Sequence, residues 1–408
     1  MKKLKEIRVE PSNEATLTNY TILNFLISGI AMSLMRGAAI VYSENDAEYI
    51  KLLSLFVIIG IGGSIAAGLL SDVFSRKHLL VLISVMLVCT ALMFPAKYGM
   101  TLRVILMSFG YCIFKASAGA SVIVRSKSGG IGQAGIFLSS GAVGMAFSIM
   151  RPVVGYYMLP VAMFIAAASD RDGMEYQTIM REKRMAENAC GQKSGRGFSF
   201  ASLMFSALII ILSSVSAIGL FYLYFEKCMF WGAETKFGPI ISALFFAVGA
   251  AVSGLLSDKA GKTAVGAVSP LISMACMLFS GVMQSSASET ISKLLFLFGV
   301  FFVGFALTPI LGFIRGAFPV SSGASLGFLI SLECPAYFIA CSHHIYRLEI
   351  SQTSAVILIF AVSAACALLS GLLIRMRDSR RRKSGFAPVD YGNDARLSEK
   401  NAQDFLKS

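Results

Sequence analysis

The chain is a succession of apolar runs of about 17 to 25 residues, each long enough to cross roughly 30 Å of hydrocarbon as an α-helix. That spacing decides the solvent in which the chain folds. Hydrophobic residues make up 56% of the 408 and charged residues 14%, too little charge to coat a soluble protein of this length. The reading is an all-α, polytopic membrane protein. The N-terminal Met1-Lys-Lys-Leu-Lys resembles the basic region of a signal peptide, but polar residues follow it through Asn19. No small-residue cleavage site closes the first run, so a first transmembrane helix is expected there.

The runs place spans at about 19–42, 52–70, 79–94, 101–124, 134–150, 153–169, 200–225, 238–256, 263–283, 293–314, 322–341 and 353–374. That makes twelve. The pair flanking Arg151-Pro152 also reads as one long, broken helix. An even number puts both termini on one side of the membrane, and basic residues say which side. Of the 36 Lys and Arg, 26 fall in the tails and in alternate loops on one side and eight on the other. The remaining two, Arg36 and Lys115, lie within spans. Positive loops stay inside, so both termini are expected in the cytoplasm of a cell with a bacterial-type plasma membrane. The formal charge of +13 is then a topology signal, with Arg380-Arg381-Arg382-Lys383 against anionic headgroups; no nucleic-acid partner is expected. The eight Cys are scattered, several inside apolar runs (Cys89, Cys112, Cys276, Cys366), without metal-ligand spacing, so neither metal nor cofactor is expected.

The pentapeptide Gly-Leu-Leu-Ser-Asp occurs twice, at Gly68–Asp72 and Gly254–Asp258. Each copy ends an apolar run and is followed by basic residues. Sliding the sequence by 186 positions also superposes Gly63 on Gly249 and Gly135 on Ser321. The longest internal polar stretch, Asp170 to Gly197, separates the two halves. The expected layout is a cytosolic tail (1–18), a six-helix bundle (19–169), a cytosolic linker (170–199), a second six-helix bundle (200–374) and a basic cytosolic tail (375–408). Two bundles related by a parallel repeat form one of the layouts of secondary transporters.

Here the chain resembles the major facilitator superfamily. The pattern of that superfamily between its second and third helices is Gly-x-Leu-Ser/Ala-Asp-Arg/Lys-x-Gly-Arg-Arg/Lys. This chain reads Gly68-Leu-Leu-Ser-Asp72-Val-Phe-Ser-Arg76-Lys77 and, in the second half, Gly254-Leu-Leu-Ser-Asp258-Lys259-Ala-Gly261-Lys262. The resemblance covers nearly the whole chain. It implies that Gly68, Asp72, Arg76, Lys77, Gly254, Asp258, Lys259 and Lys262 form a cytoplasmic gate that latches the outward-facing state. It also implies that helices one, four, seven and ten line a central path. A fainter likeness, carried by Phe109–Gly119 and Gly135–Gly144, is to the fosmidomycin-resistance type of bacterial exporter, although Lys115 stands where that branch tends to have His. The residues alone say that Gly68 and Gly254 permit close helix approach. Asp72 can meet Arg76 or a helix N-terminus, or simply form a turn in a positive-inside loop.

An ionisable residue inside a span is costly unless it faces a cavity or a partner. Lys115 lies deep in span four, Arg36 in the outer third of span one and Glu333 near the middle of span eleven, two residues before Pro335. Lys115 and Arg36 are candidates to bind an anionic solute and Glu333 to carry a proton; structural pairing remains open for each, as does snorkelling for Lys115 and Arg36. His343 and His344 read as a solvated loop pair. Arg103, Arg151, Glu226 and Arg315 read as interfacial anchors at span ends, and Gly60, Gly62, Gly63 and Gly68 as a helix-packing face. No Walker motif is present, so a gradient must drive any transport, and no catalytic constellation lies at one depth. The expected function is secondary active transport of a small anionic or zwitterionic solute, proton-coupled, by a monomer in the lipid bilayer. Alternatives are a drug or antibiotic efflux antiporter and a non-transporting membrane sensor or scaffold.

Overall fold

A computed structural model describes residues 12–42, 46–74, 77–95, 99–125, 131–169, 238–260, 262–286 and 289–317. It also describes single helical positions at 327 and 330 and between 361 and 376. The continuous segments among the described residues form nine helices. They are α1 (Ser12–Val41), α2 (Asp46–Val73), α3 (Lys77–Met93), α4 (Met100–Arg125), α5 (Ile131–Met150), α6 (Val154–Ala168), α7 (Gly238–Ala260), α8 (Lys262–Ser286) and α9 (Glu289–Ala317). They occupy spans one to six and eight to ten. Span seven lies outside the described residues, and spans eleven and twelve are represented only by the single positions. Segments Thr16–Val41, Ala47–Val73, Met100–Val122 and Thr290–Pro309 are each long and apolar enough to cross a membrane.

The helix ends differ from the hydrophobic boundaries for a physical reason. At about 1.5 Å per residue the 30 residues of α1 reach beyond the hydrocarbon core, and its polar start, Ser12 to Thr18, continues the same helix. Hydropathy marks where the bilayer is, whereas backbone hydrogen bonding propagates past it. At Arg151-Pro152 the two segments prove to be separate helices. Pro152 has no N–H to donate, and α6 starts only after a turn in which the Val154 and Gly155 amides donate to the Arg151 and Pro152 carbonyls at 3.0 and 3.3 Å. Between α3 and α4 the chain turns through Gly99, whose φ of +106° suits glycine.

Lipid tails give helices no hydrophobic reason to associate, so small residues and side-chain hydrogen bonds do most of the joining. Helix α1 packs on α4, α5 and α6, and α4 on α2 and α3. A Cβ added at Gly144 would sit 2.0 Å from the Phe25 carbonyl oxygen, and one at Gly110 would sit 2.9 Å from that of Ser84; only glycine permits these approaches of α5 to α1 and α4 to α3. Around these contacts lies a continuous apolar core that includes Leu23, Ile27, Ile30, Leu53, Met107 and Phe114. The pairing of α2 with α4 and α3 with α4 recurs as α7 with α9 and α8 with α9, so the repeat read from sequence is a repeat of contacts. Gly63 faces Cys112 of α4, and its mate Gly249 faces Phe301 of α9. Gly62 departs from the expected packing face, because a side chain added there would meet nothing within 4 Å.

Arg103 needs a larger correction. It is buried at 6% exposure, donating to the Ala91 and Leu92 carbonyls at 3.0 and 2.7 Å and to the Tyr156 hydroxyl at 3.2 Å. Those carbonyls belong to the last turn of α3, where helix geometry leaves them unpaired and the macrodipole is negative. The residue therefore clamps α3, α4 and α6 together instead of anchoring in the interface.

Candidate functional site

Two sets of contacts form candidate sites, one around Lys115 and one where each helix that carries the pentapeptide meets the opposite half of the sequence. Lys115 lies on α4 with 7% of its surface exposed. Its Nζ sits 5.3 Å from the centroid of the Tyr111 ring and 5.8 Å from that of Phe137 on α5. The negative faces of those rings offset part of the cost of burying the ammonium, by about 2 kcal/mol for a desolvated contact. The rings are themselves held, Phe114 stacking on Phe137 and Phe56 tilting against Tyr111.

The rest of the site comes from α1. Asn24 and Ser28, one turn apart, share the face that meets α5. The Asn24 amide donates to the Phe137 carbonyl and, at 3.2 Å, to the Ser140 hydroxyl, while Ser28 donates to the Asn24 Oδ1 at 3.4 Å. Gly141 completes the arrangement. A Cβ there would lie 2.9 Å from Asn24 Nδ2, 2.9 Å from Lys115 Nζ and 3.0 Å from Ser28 Oγ. An ammonium, an amide and a hydroxyl thus converge on one point of α5 that is bare because residue 141 has no side chain. In the 186-residue register Lys115 matches Phe301, which belongs to an aromatic cluster with Phe302 and Phe305. At this register position the cation belongs to the first half alone.

The other candidate residues are placed as follows. Arg36 is exposed, eight residues beyond Ser28 and so about 12 Å further along α1, and takes no part in the Lys115 cluster. Glu333 and Arg76 lie outside the described residues. Asp72 is half-buried at the end of α2, and Gly68 and Gly254 are buried. Lys77 opens α3, Asp258 and Lys259 close α7 and Lys262 opens α8.

The glycines and carbonyls beside the pentapeptides form two seams. A Cβ at Gly135 of α5 would sit 2.3 Å from the Ala250 carbonyl oxygen of α7, where Thr308 of α9 also donates at 3.1 Å. A Cβ at Gly327 would sit 2.1 Å from the Ser64 carbonyl oxygen of α2 and 3.2 Å from the Gly68 Cα. Ser64 and Ala250 are 186 positions apart. The same register position therefore receives a glycine in both seams, each time from the opposite half of the sequence. Asn24, Ser28, Gly141 and the seam glycines were not singled out from the sequence as site residues. The signal for Asn24 was an amide inside an apolar span.

No family model matches this chain, and no curated protein matches it in sequence. Solved structures do match in fold. The major facilitator superfamily proton:xylose symporter XylE, bound to 6-bromo-6-deoxy-D-glucose, is 13% identical, with a TM-score of 0.62 over 89% of this chain and 95% of that one. The major facilitator superfamily transporter FucP, in its outward conformation, is 13% identical, with a TM-score of 0.57 over 89% of this chain and 99% of that one. The chain is a multi-pass, all-helical membrane protein with the fold of major facilitator transporters. At this identity the likeness carries the fold and singles out no branch.

Proposed function

We propose that the protein is a secondary active transporter that carries a small anionic or zwitterionic solute by alternating access, with proton coupling. The observation that carries the solute charge is the buried ammonium of Lys115, aligned with Asn24 and Ser28 over the bare Gly141, at a position where the other half has Phe301. A cation in a low-dielectric site binds an anion more strongly than the same pair does in water. The amide and hydroxyl around it suit the polar remainder of a small solute. Proton coupling is assigned to Glu333, and a relative of the same fold is described as a proton symporter. The gate is assigned to Gly68, Asp72, Arg76, Lys77, Gly254, Asp258, Lys259 and Lys262, on the face that the Lys and Arg count gives to the cytoplasm. Arg36 keeps a place in this proposal as an outer attractor of anions, acting before the solute reaches Lys115.

A thermal-shift screen of small carboxylates, phosphonates and organic cations on the purified protein tests the solute class, because a ligand that binds the folded state raises the melting temperature. At least one anion is expected to stabilise the native chain and to bind roughly a hundredfold more weakly to Lys115→Ala, the loss expected for a buried charge-assisted contact. Stabilisation by organic cations alone, or an anion effect untouched by Lys115→Ala, would overturn the assignment. In proteoliposomes under an imposed pH gradient, Glu333→Gln is expected to abolish gradient-driven accumulation while leaving solute exchange intact. Unchanged accumulation would sink the coupling claim.

A further inference from the structure

We infer that Ser71 and Ser257, the serines of the two pentapeptides, are matched hydroxyls that favour opening of the seams in which they are buried. The inference rests on the alternating-access reading above. Ser71 is 0% exposed and Ser257 2%, and neither hydroxyl has a hydrogen-bond partner among the described residues. Most other buried serines among the described residues do not behave this way. Ser108, Ser117, Ser121 and Ser269 return their hydroxyls to the carbonyl four residues back, as serine in a helix usually does when water is absent.

Position says why these two matter. Ser71 lies seven residues after Ser64, two turns along the same face of α2, and Ser257 lies two turns after Ala250 on α7. Those are the two carbonyl positions approached by Gly327 and Gly135 from the opposite halves. Both hydroxyls therefore lie on the stripes that carry the seam carbonyls, at the end nearest the aqueous phase. Along these stripes α2 and α7 also meet α4 and α9 of their own halves, through Ser64–Cys112 and Thr308–Ala250. A buried hydroxyl without a partner forgoes the hydrogen bonds that water would give it. Parting the helices admits water and restores them. The first pentapeptide thus carries opposed elements: Gly68 lets Gly327 approach and the seam close, while the serine of each copy weights the closed form down about tenfold. Because the copies sit in separate seams, their effects multiply.

The test uses the full chain in nanodiscs, with spin labels on genetically encoded keto amino acids at the exposed positions Val73 and Leu255. Distances between the labels report closed and open populations. Ser71→Ala and Ser257→Ala are each expected to raise the closed-to-open ratio about tenfold, and the double variant about a hundredfold, together with a higher melting temperature. Ser148→Ala is the control. That hydroxyl is also buried without a partner, but it lies one turn from Gly144 on the face of α5 that packs against α1. Its replacement is expected to raise the melting temperature and leave the ratio unchanged. Two populated distances with a ratio unmoved, or moved toward open, by the Ser71 and Ser257 variants would overturn this inference and leave alternating access standing. One distance in every variant would overturn both.

Discussion

Leucine at Gly144 or Gly249 is expected to abolish the folded protein. Each of these glycines lies within a bundle, where an added Cβ would stand 2.0 Å from a backbone carbonyl oxygen, that of Phe25 or Phe301. A backbone carbonyl cannot rotate aside as a side chain does, so the helices must separate along the whole contact. Overpacking a well-filled interior costs about 1–3 kcal/mol even when neighbours can adjust, and here they cannot. Losses above about 3 kcal/mol are large against the 5–15 kcal/mol that holds a typical domain together. Size-exclusion profiles after detergent extraction are the measurement, with aggregated or absent protein expected for both variants. A monodisperse Gly144→Leu protein with a native melting temperature would contradict the packing described.

Leucine at Gly135 or Gly327 is expected to do something different despite a clash of the same kind. Added Cβ atoms at these positions would stand 2.3 and 2.1 Å from carbonyl oxygens of the opposite half. Under alternating access this contact has a second, separated arrangement, so the strain is relieved by populating that arrangement instead of by unfolding. A penalty of about 3 kcal/mol on the closed form shifts the balance more than a hundredfold. Folded yield is expected to stay within about twofold of the native chain while turnover in proteoliposomes falls at least a hundredfold. Loss of fold in Gly135→Leu and Gly327→Leu alike would mean that the seams never part, and alternating access would fail with them.

The contrast between the two glycine classes marks what was legible in the sequence. Apolar run lengths place the ends of the nine described helices to within seven residues, because burial in lipid is a one-dimensional property of the chain. The doubled pentapeptide establishes the repeat, because equal positions in two halves meet equal partners. Which glycine lies inside a bundle and which lies between bundles is a three-dimensional property. Gly62 and Gly63 are neighbours in sequence, yet one faces nothing and the other faces Cys112.

The same limit applies to the polar residues. Lys115 stood out because a charge in an apolar run has an energetic cost that composition alone reveals. Asn24 and Ser28 carry no charge, and serine is frequent throughout these helices, so their convergence on Gly141 appears only when α1 is laid against α5. Arg103 reads as an interfacial anchor from its place at a span end, until the unpaired carbonyls of α3 come into reach.

The carbonyls of Ser64 and Ala250 have one further consequence. A contact in which the second helix of each half receives a glycine of the other half at the same register position has the arrangement of an isologous dimer at the level of helices. The donor glycines are offset by six residues, because Gly327 matches Gly141. Joined in one chain, the two copies of such an interface are free to diverge. One half can acquire Lys115 while its mate retains Phe301, a division of labour closed to a symmetric pair of identical subunits, in which every substitution appears on both sides at once.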